Sequence, residues 1–188
     1  NDGVNDAADC APTDPTVFPG NADAPGDNLD SNCDGYPVDV ARTVFVGPIG
    51  CANSAPNRPT RPFCRPSDAM SYVASRTSQY DTVVLLTATY TYGSYLQLIN
   101  GVDIYGGYSD DFFTYTNSER SSFRSNMSGN LDNFGARGSN LTSSTVISNM
   151  EIRANQNQSG TSNGGYGRSS VGLHCVTCPG LEVRDSTV

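Results

Sequence analysis

Towards its C-terminal end the chain states one shape twice. VISNMEIRAN at 146–155 and PGLEVRDSTV at 179–188 each run as a short apolar alternation, a polar turn containing Asn or Asp, and a second alternation. Alternation with a period of two belongs to a strand that buries one face. Strands this short cannot bury a core alone, so they have to stack. Recurrence at roughly 20–25 residues, once loops are discounted, predicts a coil of parallel strands whose inward positions form ladders of Val, Ile and Leu.

The sequence before these segments suits the same plan. VARTVFV (Val40–Val46) reads as a β-strand rich in branched and aromatic residues. GPIGCANSAPNRPTRPFCRP then interrupts regular structure with repeated Pro and Gly. SDAMSYVASRTSQY predicts the one helix, with Ser67 as N-cap and Ala69, Met70, Val73 and Ala74 on one face. From Asp81, DTVVLLTATYTY returns to strand character, and GSYLQLINGVDIYGGYS repeats it around an Asn100-Gly101 turn. The polar, irregular stretch from Asp110 to Leu141 is expected to lie outside the core, and 156–170 is expected to be a loop.

Charge divides the chain. Residues 1–39 hold nine aspartates and no cation, whereas the remainder holds ten acids against eleven arginines, so the front carries −9 and the rest +1 of the net charge of −8. That front segment has too little apolar surface to offset its chain entropy without a metal and a crosslink. We therefore expect two parts: an acidic arm at 1–39 and a β domain at 40–188. With no Lys and no basic patch, nucleic-acid binding is not expected. No stretch approaches the roughly 20 apolar residues of a membrane span. The first residue is not Met, which is compatible with removal of a leader or a longer precursor segment.

Six cysteines fall into three local pairs: Cys10 with Cys33, Cys51 with Cys64, and Cys175 with Cys178. In a chain rich in Ser, Thr, Asn and Gly such pairs point to disulfides in an oxidising, extracellular setting. Sequons at Asn126, Asn140 and Asn157 are candidate glycan sites in such a setting.

Two stretches resemble known families. The segment from VFV through DAMSYVASRTSQYDTVVLLTATYTYGSYLQLINGVDIYGGYSDDF is similar to the N-terminal end of secreted bacterial right-handed parallel β-helix proteins of pectate-lyase-like type. Asp81-Thr82-Val83 and Gly101–Tyr108 carry the match, and Ala88 stands where a Gly usually precedes Thr89-Tyr90. The resemblance implies an all-β fold: a short right-handed parallel β-helix with an N-terminal capping helix, preceded by an extended Ca²⁺-binding arm. NDGVNDAADCAPTDPTVFPGNADAPGDNLDSNCDG resembles the thrombospondin type 3 and MopE-type calcium-binding repeats of bacterial surface proteins. It implies Ca²⁺ as cofactor, held by Asp2, Asp6, Asp9, Asp14, Asp27, Asp30, Asn32 and Asp34. Physical chemistry agrees, since closely spaced carboxylates and amide oxygens suit a hard cation.

Other constellations read more simply as structure. His174 beside Cys175 and Cys178 lacks a second paired motif for zinc. Asp110 and Asp111, adjacent on the chain, cannot face one another across a sugar. Glu151 with Arg153, and Glu182 with Arg184, are expected to form a surface ladder between stacked rungs. Tyr90, Tyr92, Tyr95, Tyr105 and Tyr108 could face sugars but are expected to line or rim the core. Gly164–Gly167 lacks the Lys and the helix of a phosphate loop. No catalytic residues are assigned. The expected function is a non-catalytic structural or adhesive subunit, secreted or on the cell surface, associating with its own copies into a calcium-stabilised filament. The alternatives are a calcium-dependent polysaccharide lyase or hydrolase, and a sugar-binding β-helix module, with extracellular polysaccharide as partner.

Overall fold

A computed structural model describes residues 5, 7–52, 58–126, 133–154 and 170–188. Asp2, Asp6, Asn157 and the 164–167 glycine tract lie outside the described residues. The elements, in order, are β1 (Thr43–Val46), α1 (Pro66–Ala74), β2 (Thr82–Leu86), β3 (Thr89–Tyr92), β4 (Leu96–Gln97), β5 (Asp103–Tyr108), β6 (Ser121–Ser125), β7 (Asn133–Ser139), β8 (Thr145–Ser148), β9 (Met150–Ala154), β10 (Ser170–Val176) and β11 (Leu181–Arg184).

These strands form three sheets, and every named pairing is parallel. Sheet A has the order β1-β2-β5-β8-β11, sheet B the order β3-β6-β9, and sheet C the order β10-β7-β4. From β2 onward the chain visits A, B and C in strict rotation, which makes a β-helix-like coil. One turn runs from Thr82 to Asp103.

Register shows how the coil is filled. In sheet A the inward positions align as Val44, Val83, Ile104, Ile147 and Val183 on successive strands. Sheet B contributes Tyr90, Phe123 and Ile152, and sheet C contributes Leu96, Ala136 and Leu173. With Phe63, Ala69, Met70 and Val73, most of these form one buried core. A second core lies on the opposite face of sheet A, where Phe45, Val84, Leu86 and Tyr105 meet Val38, Tyr108, Phe112 and Tyr115. From β1 to β8 sheet A is thus buried, and β1 and β2 read as near-continuous apolar runs, as fully covered parallel strands do, whereas β11 is largely exposed.

Several expectations change. β1 begins at Thr43 and not at Val40, because 40–42 form a turn. DTVVLLTATYTY is two strands, broken at Thr87-Ala88 where the chain turns from sheet A to sheet B. The helix begins at Pro66, with Arg65 in the N-cap place and no side-chain cap. Proline at the first helical position removes one of the unpaired N–H groups and presets the helical φ, which starts the helix at Pro66 and places Ser67 inside its first turn. Ala74 is exposed.

The 110–141 stretch is not outside the core. It supplies β6 and β7, and Phe112, Tyr115, Phe123, Ala136 and Leu141 are buried. Its strands are built from Ser, Gly and Ala, which fit a tight interior without an apolar periodicity. A Cβ at Gly138 would meet Cys175 Sγ at 2.9 Å and Leu141 Cδ1 at 2.9 Å.

The acid–arginine ladder does not form across rungs. Glu151 and Arg153 lie on β9 in sheet B, Glu182 and Arg184 on β11 in sheet A, and each pair closes within its own strand. The repeat of two alternations around an Asn or Asp turn does hold: Arg184 aligns with Ser148, and Asp185 takes the place of Asn149. Both corner residues have left-handed backbone, φ 47° and 54°, which Asn and Asp tolerate best among residues with a Cβ.

Candidate metal centre

The front segment is folded onto the coil. Gly26 N donates to Tyr108 Oη at 3.1 Å, Asn28 Nδ2 donates to the Tyr115 carbonyl at 2.9 Å, and Tyr115 N donates back to Asn28 Oδ1. Val38 is fully buried in the second core. Disulfides join Cys10 to Cys33, Cys51 to Cys64 and Cys175 to Cys178. The first closes the front segment, the second staples the loop between β1 and α1, and the third spans the corner between β10 and β11.

Much of the acidity serves turns. Asp9 accepts from Ala11 N, Asp14 from Thr16 N and Oγ1, and Asp27 from Leu29 N. Each is a side chain hydrogen-bonding the backbone two residues on, which replaces regular structure in a segment too polar to form it. These bonds hold the Asp14 carboxyl below its ordinary range.

Asp23, Asp30 and Asp34 are different, since each brings a carboxylate oxygen within 4.8 Å of the others. Asp30 accepts from the backbone of Asp34 and Gly35, and Asp34 from Tyr36 N and Asn32 Nδ2. Asn32 Oδ1 accepts from Asp34 N at 2.8 Å, so it braces the cluster from within. Asp23 Oδ1 accepts from Ser31 N and Asn32 N at 2.6 and 3.1 Å, but Oδ2 is buried with no partner. Burial pushes the Asp23 carboxyl up to about 6, the two backbone N–H groups oppose it, and Asp34 and Asp30 add repulsion. Three clustered carboxylates, one of them carrying an orphaned buried oxygen, fit a divalent cation, whose charge would offset both costs.

Of the residues implied by resemblance, Asp30 and Asp34 come together, with Asn32 beside them. Asp9, Asp14 and Asp27 lie apart in their own turns. Asp23 was missed: nothing in NADAP distinguishes it locally, and only closure of the segment brings it to residues seven and eleven positions later. A second grouping, Asp9 with Cys10 and Cys33, offers only one carboxylate because its two sulfurs are bonded to each other.

Elsewhere, a groove of about 880 Å³ is lined by Arg124, Arg153, Asn126 and Thr187 among others. Glu151, beside it, is held below the ordinary carboxylate range first by the Ser122 hydroxyl and then by Arg153. Asn126 and Asn140 are exposed. Tyr90 and Tyr108 are buried, and burial pushes both phenols well up. Tyr92 and Tyr95 are partly buried. No helix of the described residues is long and apolar enough to cross a membrane.

Fold and site define a class: an all-β, disulfide-stapled chain of three parallel sheets, with an acidic cluster able to hold a divalent cation. No family model, no curated protein and no solved structure matches it.

Proposed function

We propose that this chain is a secreted structural or adhesive subunit, a right-handed parallel β-helix stiffened by calcium, that associates end to end with its own copies. Parallel strands joined within one sheet are right-handed in nearly all proteins, which supports that hand. At one end β1 is followed by the stapled loop and by α1 in the role of a cap.

The observation that carries the reading lies at the other end. Val183 continues the inward row above fully buried Ile147, yet is 40% exposed, and the neighbouring Val176 and Val188 are also exposed. The row is completed either by further chain or by another copy; we take the second, in which a head-to-tail contact propagates unless it closes. Calcium is the cation favoured by an all-oxygen cluster. It would sit on Asp23, Asp30 and Asp34, close to Gly26 and Asn28 where the front segment is bonded to the coil.

The test is sedimentation and negative-stain imaging with Ca²⁺ and with EDTA. Polymers that require Ca²⁺ and are abolished by Val183→Asp support the reading. Monomers under both conditions across the accessible concentration range would overturn it.

A further inference from the structure

The three disulfides sit in unlike surroundings. Cys10–Cys33 joins positions 23 apart, and an Asp9 carboxylate oxygen lies within 4.8 Å of both sulfurs. Cys10 is exposed and Cys33 has left-handed backbone, but that negative charge repels an approaching thiolate and disfavours the thiolate that would leave. Cys51–Cys64 joins positions 13 apart, and backbone bonds close the same loop beside it. Ala52 N donates to the Pro62 carbonyl at 2.8 Å, Phe63 N to the Phe45 carbonyl at 2.8 Å, and Gly47 N to the Phe63 carbonyl at 2.9 Å.

Cys175–Cys178 differs from both. It joins positions only 3 apart, at the corner from β10 to β11. Thr177, inside that small ring, has left-handed backbone with φ 57°, which a β-branched residue keeps only where its surroundings hold it there. Strands β7 and β10, paired where Cys175 meets Gly138, contain no Asp or Glu, and Glu182 beyond the corner is paired to Arg184. Val176, Thr177 and Pro179 are exposed around the bridge. Among the described residues β11 pairs with β8 alone, so the strand after the bridge has little else to hold it.

We propose that Cys175–Cys178 is a thiol-exchange site: a low-molecular-weight thiol opens it ahead of the other two bridges, and its opening loosens β11 from the coil. The thiolate attacks one of the two sulfurs, a mixed disulfide forms, the Cys175–Cys178 bond breaks, and the other cysteine leaves as thiolate. A second molecule of the thiol displaces the first as an external disulfide. Two electrons pass from the two thiols to the bridge, and their protons end on the two cysteines. Opening relieves Thr177, no carboxylate of the flanking strands opposes the incoming charge, and the approach is open. Because closing so small a loop restrains the unfolded chain least, the rest of the coil stays folded without this bridge. The proposal rests neither on calcium nor on self-association.

The test uses the dilute protein in reduced glutathione without denaturant, with free thiols trapped by iodoacetamide at intervals and located by peptide mass spectrometry. Cys175 and Cys178 should be alkylated about tenfold or more faster than the other four cysteines, with a glutathione adduct on one of the two as the intermediate. In the trapped protein the amides of Leu181–Arg184 should exchange about tenfold faster, with those of β2 unchanged. Thr177→Asn, whose side chain tolerates left-handed backbone, should lower the equilibrium constant for reduction about fivefold. The double variant Cys175→Ser, Cys178→Ser should show the fast β11 exchange with no thiol present, and circular dichroism confirms that both variants fold. Earlier opening of Cys10–Cys33 or Cys51–Cys64, opening of all three together, no opening at all, an unchanged equilibrium in Thr177→Asn, or unchanged β11 exchange in the trapped protein and the double variant would each overturn the proposal.

Discussion

Asn149 is wholly buried at the corner between β8 and β9, and its Nδ2 donates to the carbonyls of Gly106, Thr116 and Glu119. One side chain thus ties a corner of the coil to the loop before β6. Gly107 makes room for it, since a Cβ there would stand 1.9 Å from that nitrogen at a φ of +80°. Asn149→Ala should cost about 2–4 kcal/mol in urea unfolding, through stranded carbonyls and a left-handed alanine. Asn149→Gly keeps the backbone fit and should cost less, and the difference isolates the conformational part. Asp23 gives a pH dependence of known sign. Its folded-state carboxyl is raised to about 6, chiefly by burial, so between its ordinary value and 6 the folded state holds the extra proton. In chelator, its stabilising contribution is therefore complete at low pH and lost as pH rises through 6. The melting temperature of the wild type minus that of Asp23→Asn should fall from pH 4 to pH 7 in EDTA. With saturating Ca²⁺ the fall should vanish, and the variant should bind the ion about tenfold more weakly. A flat difference in EDTA would show that Asp23 is not the strained carboxyl.

Elements were legible to unequal degrees, and the reasons are physical. β2, β5, β8 and β9 show in the sequence because branched and aromatic side chains fill their inward rows. β6 and β7 do not, because Ser121, Ser125, Gly135 and Gly138 occupy buried places where the coil leaves no space for more. The cysteine pairs were readable from their nearness along the chain. The corner repeat around Asn149 and Asp185 is legible in the sequence; the acid–arginine ladder is not, because M-E-I-R and L-E-V-R look alike while the Asn or Asp that turns the corner lies before one and after the other. Of the acidic cluster, Asp30 and Asp34 were readable but Asp23 was not. How the front segment attaches was also hidden, since the paired bonds of Asn28 to Tyr115 join residues 87 apart. Asn28→Ala should free that segment locally by about 1–2 kcal/mol. The expected readouts are faster proteolysis between 11 and 32, with the Cys10–Cys33 bridge intact, and increased dye binding as Tyr105, Tyr108 and Tyr115 become exposed. Unchanged cleavage would mean that Val38 and the disulfide hold the segment unaided.

At the scale of the molecule, a coil distributes stability along its axis, because each rung leans only on its neighbours. The rungs containing β2 and β5 have partners above and below, α1 packed into the inner core beside them, and the second core across sheet A. β11 has a partner on one side only, and its inward Val183 is partly in water. Hydrogen exchange of the dilute protein should therefore be graded, with amides of β2 and β5 slowest and those of β10 and β11 fastest, although Cys175–Cys178 clamps the corner between the last two. Raising the protein concentration in Ca²⁺ separates two origins for any protection gained. If copies stack end to end, protection should rise at β11 and at the α1 end together, since a head-to-tail contact covers one surface of each kind. If calcium only stiffens each chain, the gain should centre on residues 23–36 and be the same at every concentration. Protection confined to the second pattern would leave the molecule a calcium-braced monomer and remove the basis for a filament.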